Sequence, residues 1–202
     1  MQTKITLLLG KIIPWPLYFF GCRRFPAALL AANKNMNESL PRPAFPIHDQ
    51  QTSPIRPFRY GNYSVSYNGC APIALFNGLY IKNCGQPLSL LIHALEESGC
   101  LCMGGRFGTN PYRLSRLLKK FPVSFTRYFR LSSLEKDLLC GDAAILAIWN
   151  DRCDLKKGAH FFTVCKTPDG YLVYNRQAAI SDFSSLTAVV GQGTLLAGYR
   201  IF

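Results

Sequence analysis

The chain has 202 residues, a formal net charge of +12 and eight cysteines, which is length enough for one domain with a sizeable core and too little for two ordinary ones. Its Lys and Arg residues are scattered rather than stacked along one predicted helix, and no RNA-binding, zinc-finger or helix-turn-helix motif occurs, so nucleic acid is not expected as a partner. Cys84, Cys140, Cys153 and Cys165 stand singly, and Cys100 and Cys102 lack the two-residue spacer of a zinc knuckle; free buried thiols in a reducing compartment are expected, with no metal and no cofactor.

Residues 1–35 read as a basic, apolar N-terminal arm. They hold Lys4, Lys11, Arg23, Arg24 and Lys34, no acid, and two apolar runs, Ile5 to Leu9 and Ile12 to Phe20. Lys11, Pro14 and Pro16 break these runs, which spoils both a secretory signal and a membrane-spanning helix. An arm of this kind suits an anionic membrane surface or a groove on its own domain, and Met36 offers an internal start. Cys22 follows Gly21, but Phe19-Phe20 before it and Arg23-Arg24 after it suit a lipid-attachment site poorly. The expected location is the cytoplasm or the inner face of a membrane. Residues 36–57 form a Pro-rich connector with prolines at 41, 43, 46, 54 and 57, in which His48 reads as an ordinary loop histidine. The folded domain is expected over 58–202.

Tyr67-Asn68-Gly69-Cys70-Ala71-Pro72-Ile73-Ala74-Leu75-Phe76 is the centre of that domain. Gly69 permits a tight entry, Pro72 fits the first helical turn, and Asn83-Cys84-Gly85 stops the helix. Cys70 therefore heads a buried helix, where free N–H groups and the helix dipole favour thiolate over thiol. A second helix covers 87–98 and carries His93, with Glu96-Glu97 marking its end. The glycine-rich loop after Met103 lacks the ending of a phosphate-binding loop, and Thr109 or Asn110 caps a third helix, Pro111 to Lys120.

The pattern then becomes strand-like: Val123 to Phe129, a short helix over Ser132 to Leu139, and strands at Ala143 to Trp149, His160 to Lys166 and Tyr171 to Asn175. Pro168-Asp169-Gly170 signals a hairpin between the last two. One more short helix is expected over Asp182 to Val189, and a final strand over Thr194 to Phe202. Helices first and a mostly antiparallel sheet second make an α+β fold.

A nucleophilic cysteine needs a base, and the base needs an orienting group. His160 stands at the start of a sheet strand just after a polar loop, a position neither other histidine has. If the hairpin loop is Pro168-Asp169, residue 160 faces 177, and Asn175 becomes the diagonal neighbour of His160 on the same face. If the loop is Asp169-Gly170, residue 160 faces 179, again with Asn175 on the His160 face. Gln177 is the reserve orienting group.

Asn68-Gly69-Cys70-Ala71-Pro72-Ile73-Ala74-Leu75, Gly108-Thr109-Asn110-Pro111-Tyr112-Arg113-Leu114, Gly158-Ala159-His160-Phe161-Phe162-Thr163-Val164 and the strand ending in Asn175 occur in the order seen in papain-like cysteine peptidases of the C39-like type. The chain resembles that family over roughly residues 60–202. The resemblance implies a papain-like fold and a cysteine peptidase acting on a peptide or protein substrate. Cys70 is then nucleophile, His160 general base and acid, and Asn175 the orienting group where many relatives have Asp. Two positions depart from it: Ser64 stands where the family usually has the oxyanion Gln, and Ala71 where it usually has Gly. Asn68, Asn62 or Ser64 itself are the candidate oxyanion donors, beside the Cys70 N–H; losing one such donor costs roughly a hundredfold or more in rate. A noncatalytic peptide-binding or membrane-peripheral protein on the same fold is the rival reading.

Overall fold

The elements are α1 (Ala27–Glu38), β1 (Arg59–Tyr60), β2 (Tyr63–Ser64), α2 (Val65–Asn68), α3 (Cys70–Ile81), α4 (Leu88–Glu97), α5 (Leu114–Leu118), β3 (Phe125–Tyr128), α6 (Leu131–Asp137), β4 (Ala143–Trp149), β5 (Ala159–Lys166), β6 (Tyr171–Tyr174), β7 (Ser181–Phe183), α7 (Leu186–Val190) and β8 (Thr194–Ile201). The computed structural model describes residues 22, 25–151, 154, 157–176 and 181–202. The fold is α+β. Six strands form an antiparallel sheet in the order β3-β8-β4-β5-β6-β7, and β1 and β2 form a separate small hairpin.

Helix α3 is apolar on every side, and Ala71 through Leu79 are all buried. It lies on one face of the sheet, where the Thr163 hydroxyl of β5 donates to the Ala74 carbonyl at 2.6 Å. Gly78 lets the helix sit close to the sheet, since a Cβ would come 3.2–3.3 Å from the side chains of Ile145 and Ile201. The helix ends at Asn83, whose φ of 56° is the left-handed conformation that closes helices. Strand alternation divides the core between the two faces of the sheet. Ile145, Ala147 and Phe161 pack with α3 and α4, while Leu146, Ile148, Phe162 and Val164 pack with Leu134 of α6 and Leu186 of α7.

Several boundaries differ from the sequence reading. The packed part of the chain begins before residue 58. Ala27–Glu38 is helical, and Phe25, Ile47 and Ile55 belong to the core. The cause is that α1 docks through amides rather than an apolar stripe: Asn37 exchanges hydrogen bonds with the Arg59 main chain, and Asn33 donates to Gly61 O and Glu96. Helix α5 is shorter than Pro111 to Lys120, because the Asn110 side chain accepts from Tyr112 N and holds 110–112 in a turn. The helix expected over Asp182 to Val189 is instead β7 followed by α7, which is capped by Ser185, whose Oγ accepts from Ala188 N.

Glu96, read from sequence as a mark of the helix end, is fully buried. Its Oε1 accepts from Gly61 N and Asn33 Nδ2, both at 2.7 Å, and its Oε2 has no partner among the described residues. Burial pushes its carboxyl up to about 7, against the pull of those two hydrogen bonds. Among the described residues no helix is long and apolar enough to cross a membrane.

Candidate functional site

Cys70 is the first residue of α3, entered through the short helix α2 and Gly69. The entry is closed by contact, since a Cβ on Gly69 would lie 2.2 Å from Val65 Cγ1 and 2.5 Å from Val65 O. One helical turn before Ala74, Cys70 stands over the start of β5 and takes a main-chain hydrogen bond from Phe161 to its sulfur. The helix terminus does not dominate the thiol. Burial pushes it up to about 11, more than the backbone groups of Phe161, Ala71 and Cys70 itself pull it down. The expectation of a favoured thiolate is therefore reversed for this arrangement.

His160 is the second residue of β5, which is an interior strand, so the cleft forms at the end of the strand. The hairpin register is the one set by the Pro168-Asp169 loop. Lys166 pairs with Tyr171 and Thr163 with Tyr174, and Thr167 N donates to Gly170 O. This makes Asn175 the diagonal neighbour of His160. The two are joined through the main chain: His160 Nε2 bonds the Asn175 carbonyl at 2.5 Å, while the Asn175 side chain donates to Phe161 O at 3.3 Å. Asn175 is buried, and its φ of 62° turns the chain out of β6. Gln177 lies outside the described residues.

The three residues thus converge on the first turns of one strand without forming a relay. Alternation puts the His160 ring with Phe162, at 6.2 Å between ring centres, on the face opposite α3. The Arg176 guanidinium lies over that same Phe162 ring at 4.9 Å. His160 is held below the usual imidazole range, first by burial and then by the Arg176 charge, with the Asn175 carbonyl opposing both. Among the described residues, no hydrogen bond joins Cys70 to His160.

The oxyanion candidates are engaged elsewhere. Asn68 is buried with its amide donating to Tyr60 O and Gly105 O, at 3.0 and 2.9 Å. Ser64 Oγ is bonded to Ser66 Oγ at 2.6 Å. Asn62 is exposed, with its main-chain N–H donating to Gly104 O. The donor that remains at Cys70 is its own main-chain N–H at the helix start, which acts on the sulfur together with the backbone groups of Phe161 and Ala71.

Residues that sequence reasoning passed over come from the connector. Phe45 stacks on Tyr80 and lies against Tyr174, Ile47 exchanges two hydrogen bonds with buried Asn77, and His48 stacks on Tyr174. Gln50 and Gln51 both donate to Ser66 O, at 2.8 and 2.7 Å. The segment therefore runs along α3 toward its N-terminus. There His48, Asp49, Gln50 and Gln51 line a cavity of about 300 Å³ with His160, Asn175 and Arg176. His48 and Asp49 adjoin in sequence, but only the path of the connector carries them to His160. The chain matches no protein-family model and no curated protein.

Proposed function

We propose that this chain is a cysteine peptidase of the papain-like, C39-like kind that its sequence resembles, and that the arrangement described above is its resting form. Cys70 is the nucleophile, His160 the base, and Asn175 the group that positions the imidazole. The observation that supports this reading is the convergence at Phe161. The Cys70 sulfur and the Asn175 amide both bond its main chain, and His160 is the residue before it. In catalysis the imidazole turns to the α3 face and takes the thiol proton. The sulfur attacks a peptide carbonyl whose oxyanion is held by the Cys70 N–H. The imidazolium then protonates the leaving amine, and a water activated by His160 releases the acyl group. The substrate is a peptide or protein. Lys4, Lys11, Arg23 and Arg24, which precede the docked helix α1 and lie outside the described residues, add attraction to an anionic membrane surface.

A second reading, a noncatalytic peptide-binding domain on the same fold, is favoured by the position of the His160 ring and by the engagement of Asn68 and Ser64. Incubation of the full chain with a mixed peptide library, read by mass spectrometry, separates the two. The peptidase reading predicts new termini that disappear in Cys70→Ala and in His160→Gln. Peptides retained intact by the wild type and equally by Cys70→Ala support the binding reading and end the first.

A further inference from the structure

Cys22 and Cys102, eighty positions apart, face each other across an isolated antiparallel bridge, with their sulfurs 2.8 Å apart. Directly opposed residues in an antiparallel pair have Cα atoms about 4.5–5.5 Å apart, within the range a disulfide spans. All seven cysteines among the described residues are free thiols in this structure. The neighbouring sulfur is occupied otherwise: the Ser98 hydroxyl donates to Cys100 at 3.0 Å.

We infer that Cys22 and Cys102 are a redox pair that closes to a disulfide and fastens the segment carrying Cys22 to the loop after α4. The two thiols have different parts. Cys22 is half-buried, and the Asn110 amide donates to its sulfur at 3.5 Å, whereas Cys102 is fully buried. The Cys102 thiol, the Asn110 amide and the Arg113 charge together bring Cys22 down to about 7, against the effect of burial, while Cys102 is raised. Cys22 is accordingly the attacking thiolate and Cys102 the resolving thiol.

The oxidant is a low-molecular-weight disulfide such as oxidised glutathione. The Cys22 sulfur attacks one of its sulfurs, so a mixed disulfide forms and the first glutathione leaves as thiolate. Cys102 then attacks the Cys22 sulfur, the mixed bond breaks and the second glutathione leaves. The two protein thiol protons end on the two glutathiones. The protein has lost two electrons and the oxidant has gained them. Cys102 is positioned for the second step because its sulfur already touches that of Cys22.

The full-length chain is incubated in oxidised glutathione, quenched with acid, and its cross-links are mapped by fragmentation of proteolytic peptides. The expected product is two hydrogens lighter and carries one Cys22–Cys102 link. Cys102→Ser is expected to accumulate glutathione on Cys22 instead, because the resolving thiol is gone. Glutathione retained on Cys22 of the wild-type chain, a link from Cys22 to another cysteine, or both thiols still open to alkylation overturns the inference. The wild-type result decides the matter even where the variant does not fold.

Discussion

Iodoacetamide is expected to alkylate Cys70 about tenfold faster for each unit of pH between 7 and 10, roughly a thousandfold over the whole range. The reason is the balance at the head of α3. The thiol is desolvated by the packing of α3 on β5 and held up at about 11, so the thiolate that reacts is a trace species at neutral pH. Below its pKa the thiolate fraction rises in proportion to hydroxide. His160 cannot take the proton from where its ring stands, bonded to the Asn175 carbonyl and set against Phe162. Time courses at several pH values, read on the peptide containing Cys70, check this. A rate already at its plateau at pH 7 would mean that an ion pair with an imidazolium exists at rest, and the resting arrangement described here would be wrong.

Glu96→Gln is expected to stabilise the protein above pH 7 by about 3 kcal/mol and to leave it unchanged near pH 4. The carboxyl is raised from its ordinary value to about 7 in the folded chain, so the fold binds the proton more tightly than the unfolded chain does. The sign follows. The contribution is fully present below about pH 4.5, declines as pH rises through 7, and is constant above that. Glutamine copies the protonated acid, because its oxygen can keep the bonds from Gly61 N and Asn33 while its amide replaces an oxygen that has no partner. Urea unfolding of both proteins at pH 4.5 and pH 8 gives the difference. Equal stabilities at pH 8 would show that the buried carboxylate costs nothing.

Much of the sheet was legible in the sequence. Ala143 to Trp149 is an unbroken apolar run, and Pro168-Asp169-Gly170 marked the β5–β6 hairpin and narrowed its register to two, of which the one that makes Asn175 the diagonal neighbour of His160 is observed. The face of His160 was not legible, for a physical reason. Phe161 through Val164 are buried on both sides of the sheet, so the run carries no alternation that marks which side meets α3. The contact of Thr163 with Ala74 and the division of Phe161 from Phe162 and Val164 between the two core clusters decide it. Helix α1 was hidden for a related reason: it docks through Asn33 and Asn37, and hydrophobic periodicity does not register amides. Glu96 was misread because a glutamate near a helix end is ordinarily solvated, and nothing near it in sequence announces Gly61 or Asn33.

The connector was the largest omission. Five prolines and no regular period read as a linker, yet Ile47 is clamped by Asn77 through both its N–H and its C=O, and Gln50 and Gln51 reach Ser66 beside the α3 entry. Side chains that read an extended main chain in this way do so without leaving a pattern in the segment that they hold. Its residues His48 to Gln51 line the same cavity as His160 and Asn175.

In the proposed mechanism Cys70 becomes a nucleophile when a peptide draws His160 to the α3 face. The measurement that meets it most directly is modification of the full chain at pH 7 by a peptidyl vinyl sulfone, read by intact mass and mapped to the residue. One adduct is expected, on Cys70, at a rate far above that of iodoacetamide at the same pH, and it is lost in His160→Gln. An unmodified Cys70, or an adduct that forms equally fast without His160, would contradict it.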